Sequence, residues 1–172
     1  MKTLIEYIFD RHDNYCNQKY GDNLPYSFHL KCVVSQGRKF EHLLKYSWDD
    51  AVYPALLTHD ALEDCRMTYS DLIQVLRTYK YETAEKIANI VYLVTDEKGK
   101  NRAERKNEKY YKELKENKLA IFVKLADISA NTLYSKLTGS LMYEKYKKEF
   151  PVFKEKVYLE EYKEFFDYVE KL

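Results

Sequence analysis

The stretch Leu56-Leu57-Thr58-His59-Asp60-Ala61-Leu62-Glu63-Asp64 restricts what this chain can become. It places one imidazole and three carboxylates inside an otherwise apolar run that begins at Ala55. On a helix, residues four apart share a face. His59 is therefore expected above Glu63, and Asp60 above Asp64, in two columns about 100° apart. Such a helix holds a cation with His59 and Asp60 and aims Glu63 and Asp64 one turn further along the same cleft. The plain alternative is a solvated helix face with three acids. The flanking Ala55, Leu56 and Leu57 and the intervening Ala61 and Leu62 argue for the cleft. Charge set into an apolar helix is costly unless it is paired or bound to metal.

Composition narrows the partners. Lys and Arg total 29 against 28 for Asp and Glu, a net charge of +1. That balance does not suit a general nucleic-acid binder, which carries a basic surplus. The Lys-dense helix over 104–118 reads as a solvated face. Cys16, Cys32 and Cys65 show no zinc spacing, and an odd, dispersed set of thiols suits a reducing cytoplasm. The first residues lack the apolar run of a signal peptide, and no stretch is long enough to span a bilayer. A cytoplasmic protein with no membrane partner is expected. The 18 tyrosines either supply core area with hydroxyl handles or reflect a compositional bias.

The apolar periodicity predicts an all-α single domain of 172 residues. Helices are expected over 2–15, 29–46, 49–64 and 81–95, with another starting at Thr68 and carrying Leu72, Val75 and Leu76, a loop over 16–28 and a charged loop over 96–103. A polar helix is predicted over 104–116. The run Leu119–Asp127 is mostly apolar, and its continuation through Leu133 favours a buried helix over 117–134 rather than a strand. Thr138-Gly139-Ser140 is a turn, and one or two helices over 141–171 break near Pro151. His12 and His42 read as surface histidines.

His29, His59, Asp60 and Asp127 form a candidate ligand set drawn from three helices. Two imidazoles and two carboxylates suit an open octahedral site for manganese, iron or another divalent metal, and the lack of cysteine disfavours structural zinc. These residues sit in segments that resemble a known family. Leu24-Pro25-Tyr26-Ser27-Phe28-His29 is similar to "PYxxH". Leu57-Thr58-His59-Asp60-Ala61-Leu62-Glu63-Asp64-Cys65 is similar to "LLHDxxEDT". Val94-Thr95-Asp96-Glu97-Lys98 followed by Glu104-Arg105-Lys106 resembles "VTDDK…ERK". Val123-Lys124-Leu125-Ala126-Asp127 with Asn131 resembles "VKLADxxxN". In this order, over about residues 15–135, they resemble the HD superfamily of metal-dependent phosphohydrolases. More closely, they resemble the hydrolase domain of RelA/SpoT homologues and their small stand-alone relatives, the SpoT-like alarmone hydrolases.

The resemblance implies an HD-domain helical bundle with one manganese ion held by His29, His59, Asp60 and Asp127. It implies that Glu63 and Asp64 position or deprotonate a water. Lys19 and Lys98 would meet substrate phosphates, Asn131 would bond the substrate or its waters, and after residue 136 only Tyr146 is placed, as a substrate contact. The implied reaction removes the 3′-pyrophosphate of (p)ppGpp. Three positions depart from the pattern. Leu30 stands where the family has Pro, Gln18-Lys19 where it has Arg-Lys, and Ile128-Ser129-Ala130 where it has a basic residue. Arg and Lys are not interchangeable at phosphate or stacking sites, and Gln is further removed. The ligand set is complete while the nucleotide-recognition set is altered. Two other readings stay open: an HD phosphohydrolase for another nucleotide, such as NADPH or a nucleoside phosphate, and a nucleotide-binding module without turnover.

Overall fold

A computed structural model describes residues 2–45, 48–96 and 107–172. The fold is all-α, a bundle of helices with one two-residue hairpin among the described residues. In chain order, α1 is Leu4–Asp10, followed by a π-helical turn at Arg11–Tyr15. β1 (Lys19–Tyr20) and β2 (Leu24–Pro25) pair antiparallel, Tyr20 opposite Leu24. α2 is Tyr26–Lys39, α3 Tyr53–Thr58, α4 Ala61–Asp64, α5 Tyr69–Thr78 and α6 Ala84–Val94. α7 is Glu108–Lys115, α8 Lys118–Thr138, α9 Met142–Val157 and α10 Lys163–Lys171. No helix among the described residues is long and apolar enough to cross a membrane.

Helix α8 is the axis. Every residue from Leu119 to Asp127 is buried, because α2, α3, α6, α7, α9 and α10 all pack against it. A helix covered on every side has no solvent stripe, which is why this segment reads as a continuous apolar run. Asn117 starts it, its side chain accepting from the backbone N–H groups of Leu119 and Ala120. Gly139, at φ 66°, ends it in the left-handed conformation that glycine adopts at little cost. The helix thus runs to Thr138, past the expected 134.

Four further expectations are corrected. The first helix stops at Asp10 and widens into the π-helical turn, which carries His12 into the interior. His12 is fully buried, not a surface residue; His42, by contrast, is exposed and faces Glu164. The loop over 16–28 contains the hairpin, and α2 begins at Tyr26, ahead of His29. Pro151 lies inside α9 rather than at a break. Phe150, Phe153 and Val157 on that helix are buried in the core, and this packing outweighs the backbone bond that proline removes. The chain turns instead at Tyr158, where ψ is 134°.

The fourth correction concerns the central helix. Pro54 sits in the first turn of α3, where a proline is tolerated. The helix then breaks: Asp60 takes φ −97° and ψ 5°, and α4 begins at Ala61. Thr58 donates its hydroxyl back to the Pro54 carbonyl at 2.8 Å, a contact that loosens a helix. The break replaces the two regular columns expected on one continuous helix.

Candidate metal centre

His29 comes from the first turns of α2, His59 and Asp60 from the break between α3 and α4, and Asp127 from the middle of α8. Their donor atoms converge. Asp60 Oδ2 lies 2.8 Å from His59 Nε2 and 3.5 Å from His29 Nε2. Asp127 Oδ1 lies 3.4 Å from His29 Nε2 and 3.8 Å from His59 Nε2. One ligand atom each from His29, His59 and Asp127 falls within 4.8 Å of the others, the spacing of groups that hold a single ion. Because the helix breaks at Asp60, two residues adjacent in sequence face the same point.

The surroundings fit a cation. His59 Nδ1 lies 2.9 Å from the Leu56 carbonyl. That contact selects the Nδ1–H tautomer and turns the Nε2 lone pair inward. Nε2 is buried and makes no well-aligned hydrogen bond, even to Asp60 Oδ2 beside it. Buried polar atoms are rarely left so, and a divalent ion at this point satisfies it. Asp60 Oδ2 accepts from the Tyr26 hydroxyl at 2.6 Å, and Asp127 Oδ1 from the Asn131 amide at 2.6 Å. Each carboxylate is thus oriented by a neighbour of its own.

Charge is concentrated here. Burial opposes a proton on His59, but the Asp60 carboxylate beside it and Asp127 nearby push its pKa up to about 10. Burial likewise opposes charge on His29, and the bonds to Asp127 and Asp60 raise it. Burial favours neutral acids, yet the adjacent His59 and His29 hold Asp60 far below the usual carboxylate range. Asp127 is held down against burial by Lys124 and the two histidines. A divalent cation at the same four atoms would displace the imidazole protons and leave the charges balanced.

A cleft of about 210 Å³ opens beside these groups. Glu63 and Asp64 line it. Burial and then the neighbouring Asp96 push Glu63 up to about 7, while burial and Asp60 raise Asp64. Tyr146 lines the cleft from α9, with Phe150 and Phe153 on the same helix face. Asn131 lines it too, but its polar atoms are engaged: besides donating to Asp127, it accepts from the Tyr20 hydroxyl at 2.9 Å. The Tyr20 ring stacks on His29 at 4.7 Å between centroids. Asn131 is therefore engaged with Asp127 and Tyr20 instead of reaching outward. Lys19 is exposed on β1 and is not part of the lining. Lys98, with Arg102 and Arg105, lies outside the described residues.

Four residues were given no role in the sequence reading. Lys124 is buried, with its Nζ 3.1 Å from Asp127 Oδ2 and 3.3 Å from the Val94 carbonyl. It is the one Lys or Arg among the described residues lining the cleft, against Asp60, Glu63, Asp64, Asp96, Asp127 and Glu149. Burial works against its charge, yet Tyr110, Asp127 and Asp96 raise its pKa well above the normal value. The signal was present: one cation in an apolar run, three residues before an acid, shares that acid's face. Tyr26, three residues before His29, carried the same signal. His12 and Gln18 carried none, because the π-helical turn that buries His12 has no simple period. Comparisons with known protein families, curated proteins and solved structures return no match.

Proposed function

We propose that the chain is an HD-type metal-dependent phosphohydrolase acting on phosphorylated nucleotides. Its first candidate reaction is release of pyrophosphate from the 3′ position of (p)ppGpp. The observation that carries this reading is the convergence of His29, His59, Asp60 and Asp127 beside a cleft lined by Glu63 and Asp64. These four residues would hold a divalent cation, manganese being the first choice for two imidazoles and two carboxylates. Such an ion lowers the pKa of a water and neutralises charge on phosphoryl oxygens.

The chain's own side chains do the rest. Asp64 and Glu63 accept and hold the proton of the attacking water, the work of a positioned carboxylate. Lys124 offers its ammonium group to an anionic ligand while it holds Asp127. Tyr26 and Asn131 keep Asp60 and Asp127 turned toward the ion. The face of Tyr146, Phe150 and Phe153 suits the flat, apolar surface of a nucleobase. The cleft is otherwise acidic, so a highly phosphorylated ligand relies on the bound cation and Lys124 for charge balance.

A second reading, hydrolysis of a different nucleotide, draws on Gln18. The resemblance puts an arginine at this position, and the side chain here turns inward to His12. One experiment separates the two. Purified protein with manganese is given ppGpp, NADPH and a set of nucleoside phosphates, and phosphate and pyrophosphate release is measured. The alarmone reading expects pyrophosphate from ppGpp at the highest kcat/KM, lowered at least about a thousandfold in Asp60→Ala. Faster turnover of another nucleotide selects the second reading. No release above Asp60→Ala with any substrate rejects hydrolysis and leaves a binding module.

A further inference from the structure

A hollow larger than the cleft lies on the other side of α2. Residues on a helix turn by about 100° each, so Val34 and Arg38 stand about 140° and 180° round α2 from His29. On that side α1, α2 and α3 leave a groove of about 620 Å³. α1 gives it Ile5 and Phe9, and α3 gives it Tyr53 and Leu57, each pair four residues apart and so on one helix face. Val34 completes the apolar lining from α2. Ile5, Phe9, Val34 and Tyr53 are only half-buried, so the groove keeps apolar surface in water. The rest of the lining is Lys31, Ser35, Arg38 and Lys39, all exposed and with no acid among them. Two of these cations are engaged. Arg38 pairs with Glu41, and Lys39 donates to Gln36 Oε1 at 3.1 Å and to the Tyr168 hydroxyl at 3.0 Å. Lys31 has no carboxylate partner among the described residues, and its ammonium group sits 5.0 Å over the Phe9 ring. Its charge is therefore held against the groove's wall.

We propose that this groove is a second ligand site, which takes a free apolar chain ending in a carboxylate. The chain lies on Phe9, Val34 and Leu57, and the head meets Lys31. The volume falls within the range of small-molecule sites, about 300–1,000 Å³. Lys31 and Arg38 are seven residues apart, so the groove runs roughly 10 Å along α2. A docking helix would gain only two turns of contact, and helices that short do not hold their shape alone. A flexible chain has no such minimum length. Charge selects the head: a neutral amphiphile leaves Lys31 unmatched, and a cationic one is repelled by it. The groove shares no lining residue with the metal cleft, and the proposal does not rest on the phosphohydrolase reading. Its place still matters to the metal centre. α2 carries His29 and α3 leads into His59 and Asp60, so an occupant packs on the backs of the helices that position three of the four candidate ligands.

The test needs no turnover. Decanoate, kept below the concentration at which it forms micelles, is titrated into ¹³C-methyl-labelled protein. The methyl signals of Ile5, Val34 and Leu57 are expected to shift together and saturate, while that of Ile128, which lines the metal cleft, stays in place. Decanol has the same chain and no charge. It is expected to bind about two- to fivefold more weakly, the contribution of an exposed ion pair. Lys31→Gln is expected to lose that preference and keep the chain's contacts. Val34→Trp fills the groove and is expected to abolish the shifts of Ile5 and Leu57. Lys31→Gln alters an exposed side chain, so the charge comparison stands even if Val34→Trp fails to fold. No saturable shift of the groove methyls, equal affinity for decanoate and decanol, or shifts centred on Ile128 would overturn the site. Groove shifts that grow with protein concentration alone would assign the groove to a second copy of the chain. A response only to vesicles of anionic lipid would assign it to a membrane surface. Either result overturns the proposal.

Discussion

Tyr20 sits over His29 because of what precedes and follows it. The turn after it needs Gly21 at φ 57°, and a Cβ there would fall 2.0 Å from the Tyr134 hydroxyl. Tyr134 packs against Tyr20 at 4.6 Å between ring centroids. Gly21→Ala therefore meets two penalties, a left-handed backbone costing about 1–2 kcal/mol and the displacement of Tyr134. Gly139, at φ 66°, has open space where its Cβ would go, so Gly139→Ala meets only the first. Urea unfolding is expected to show a larger loss for Gly21→Ala than for Gly139→Ala. Equal losses would mean that Tyr134 yields freely and does not hold Tyr20 on His29. At this scale the sequence was informative about ligands and silent about what orients them. His29, His59, Asp60 and Asp127 were legible because their chemistry is rare inside apolar runs. Tyr20 was not, since its contact with His29 depends on a hairpin.

At the scale of elements, α8 carries the site and the core together. Asp127, Asn131 and Lys124 share it with Phe122 and Leu125, the site residues lying well inside the helix. Asn117 caps its first turn at 3.1 and 3.2 Å. Asn117→Ala is expected to cost about 1 kcal/mol, read as a lower urea midpoint with an unchanged m-value, while metal affinity stays the same because Asp127 lies well inside the helix. A large loss of metal affinity in this variant would show that the first turn and the ligand are rigidly coupled. Most helices were legible from their apolar spacing, α8 above all. Their interruptions were not. Nothing in the period marks the break at Asp60, because it arises where a Thr58 hydroxyl competes for the Pro54 carbonyl and His59 and Asp60 are turned to one point. Pro151 misled in the opposite direction: its local preference is real, but Phe150 and Phe153 bind α9 to the core on both sides of it.

For the whole molecule, the ligand set joins α2, the break between α3 and α4, and α8, segments nearly a hundred residues apart at the extremes. An unfolded chain cannot present them together, so a cation bound there favours the folded state by mass action. Manganese at about 100 times its Kd is expected to add about 2.7 kcal/mol. For a domain of this size each kcal/mol is worth roughly 2–4 °C in Tm, so a rise of about 5–11 °C should appear on metal addition and disappear with EDTA. Asp127→Ala removes one ligand and strands Lys124, so it lowers Tm without metal and loses most of the rise. The rise should also shrink as pH falls. Protons compete for the two imidazoles, and the adjacent carboxylates already raise the proton affinity of His59 and His29. Each proton displaced makes metal affinity fall up to tenfold per pH unit as the solution is acidified. Thermal scans at several pH values, with and without manganese, measure this directly. A metal-induced rise equal in the wild type and Asp127→Ala, or one that grows toward acid pH, would place the cation somewhere other than at these residues.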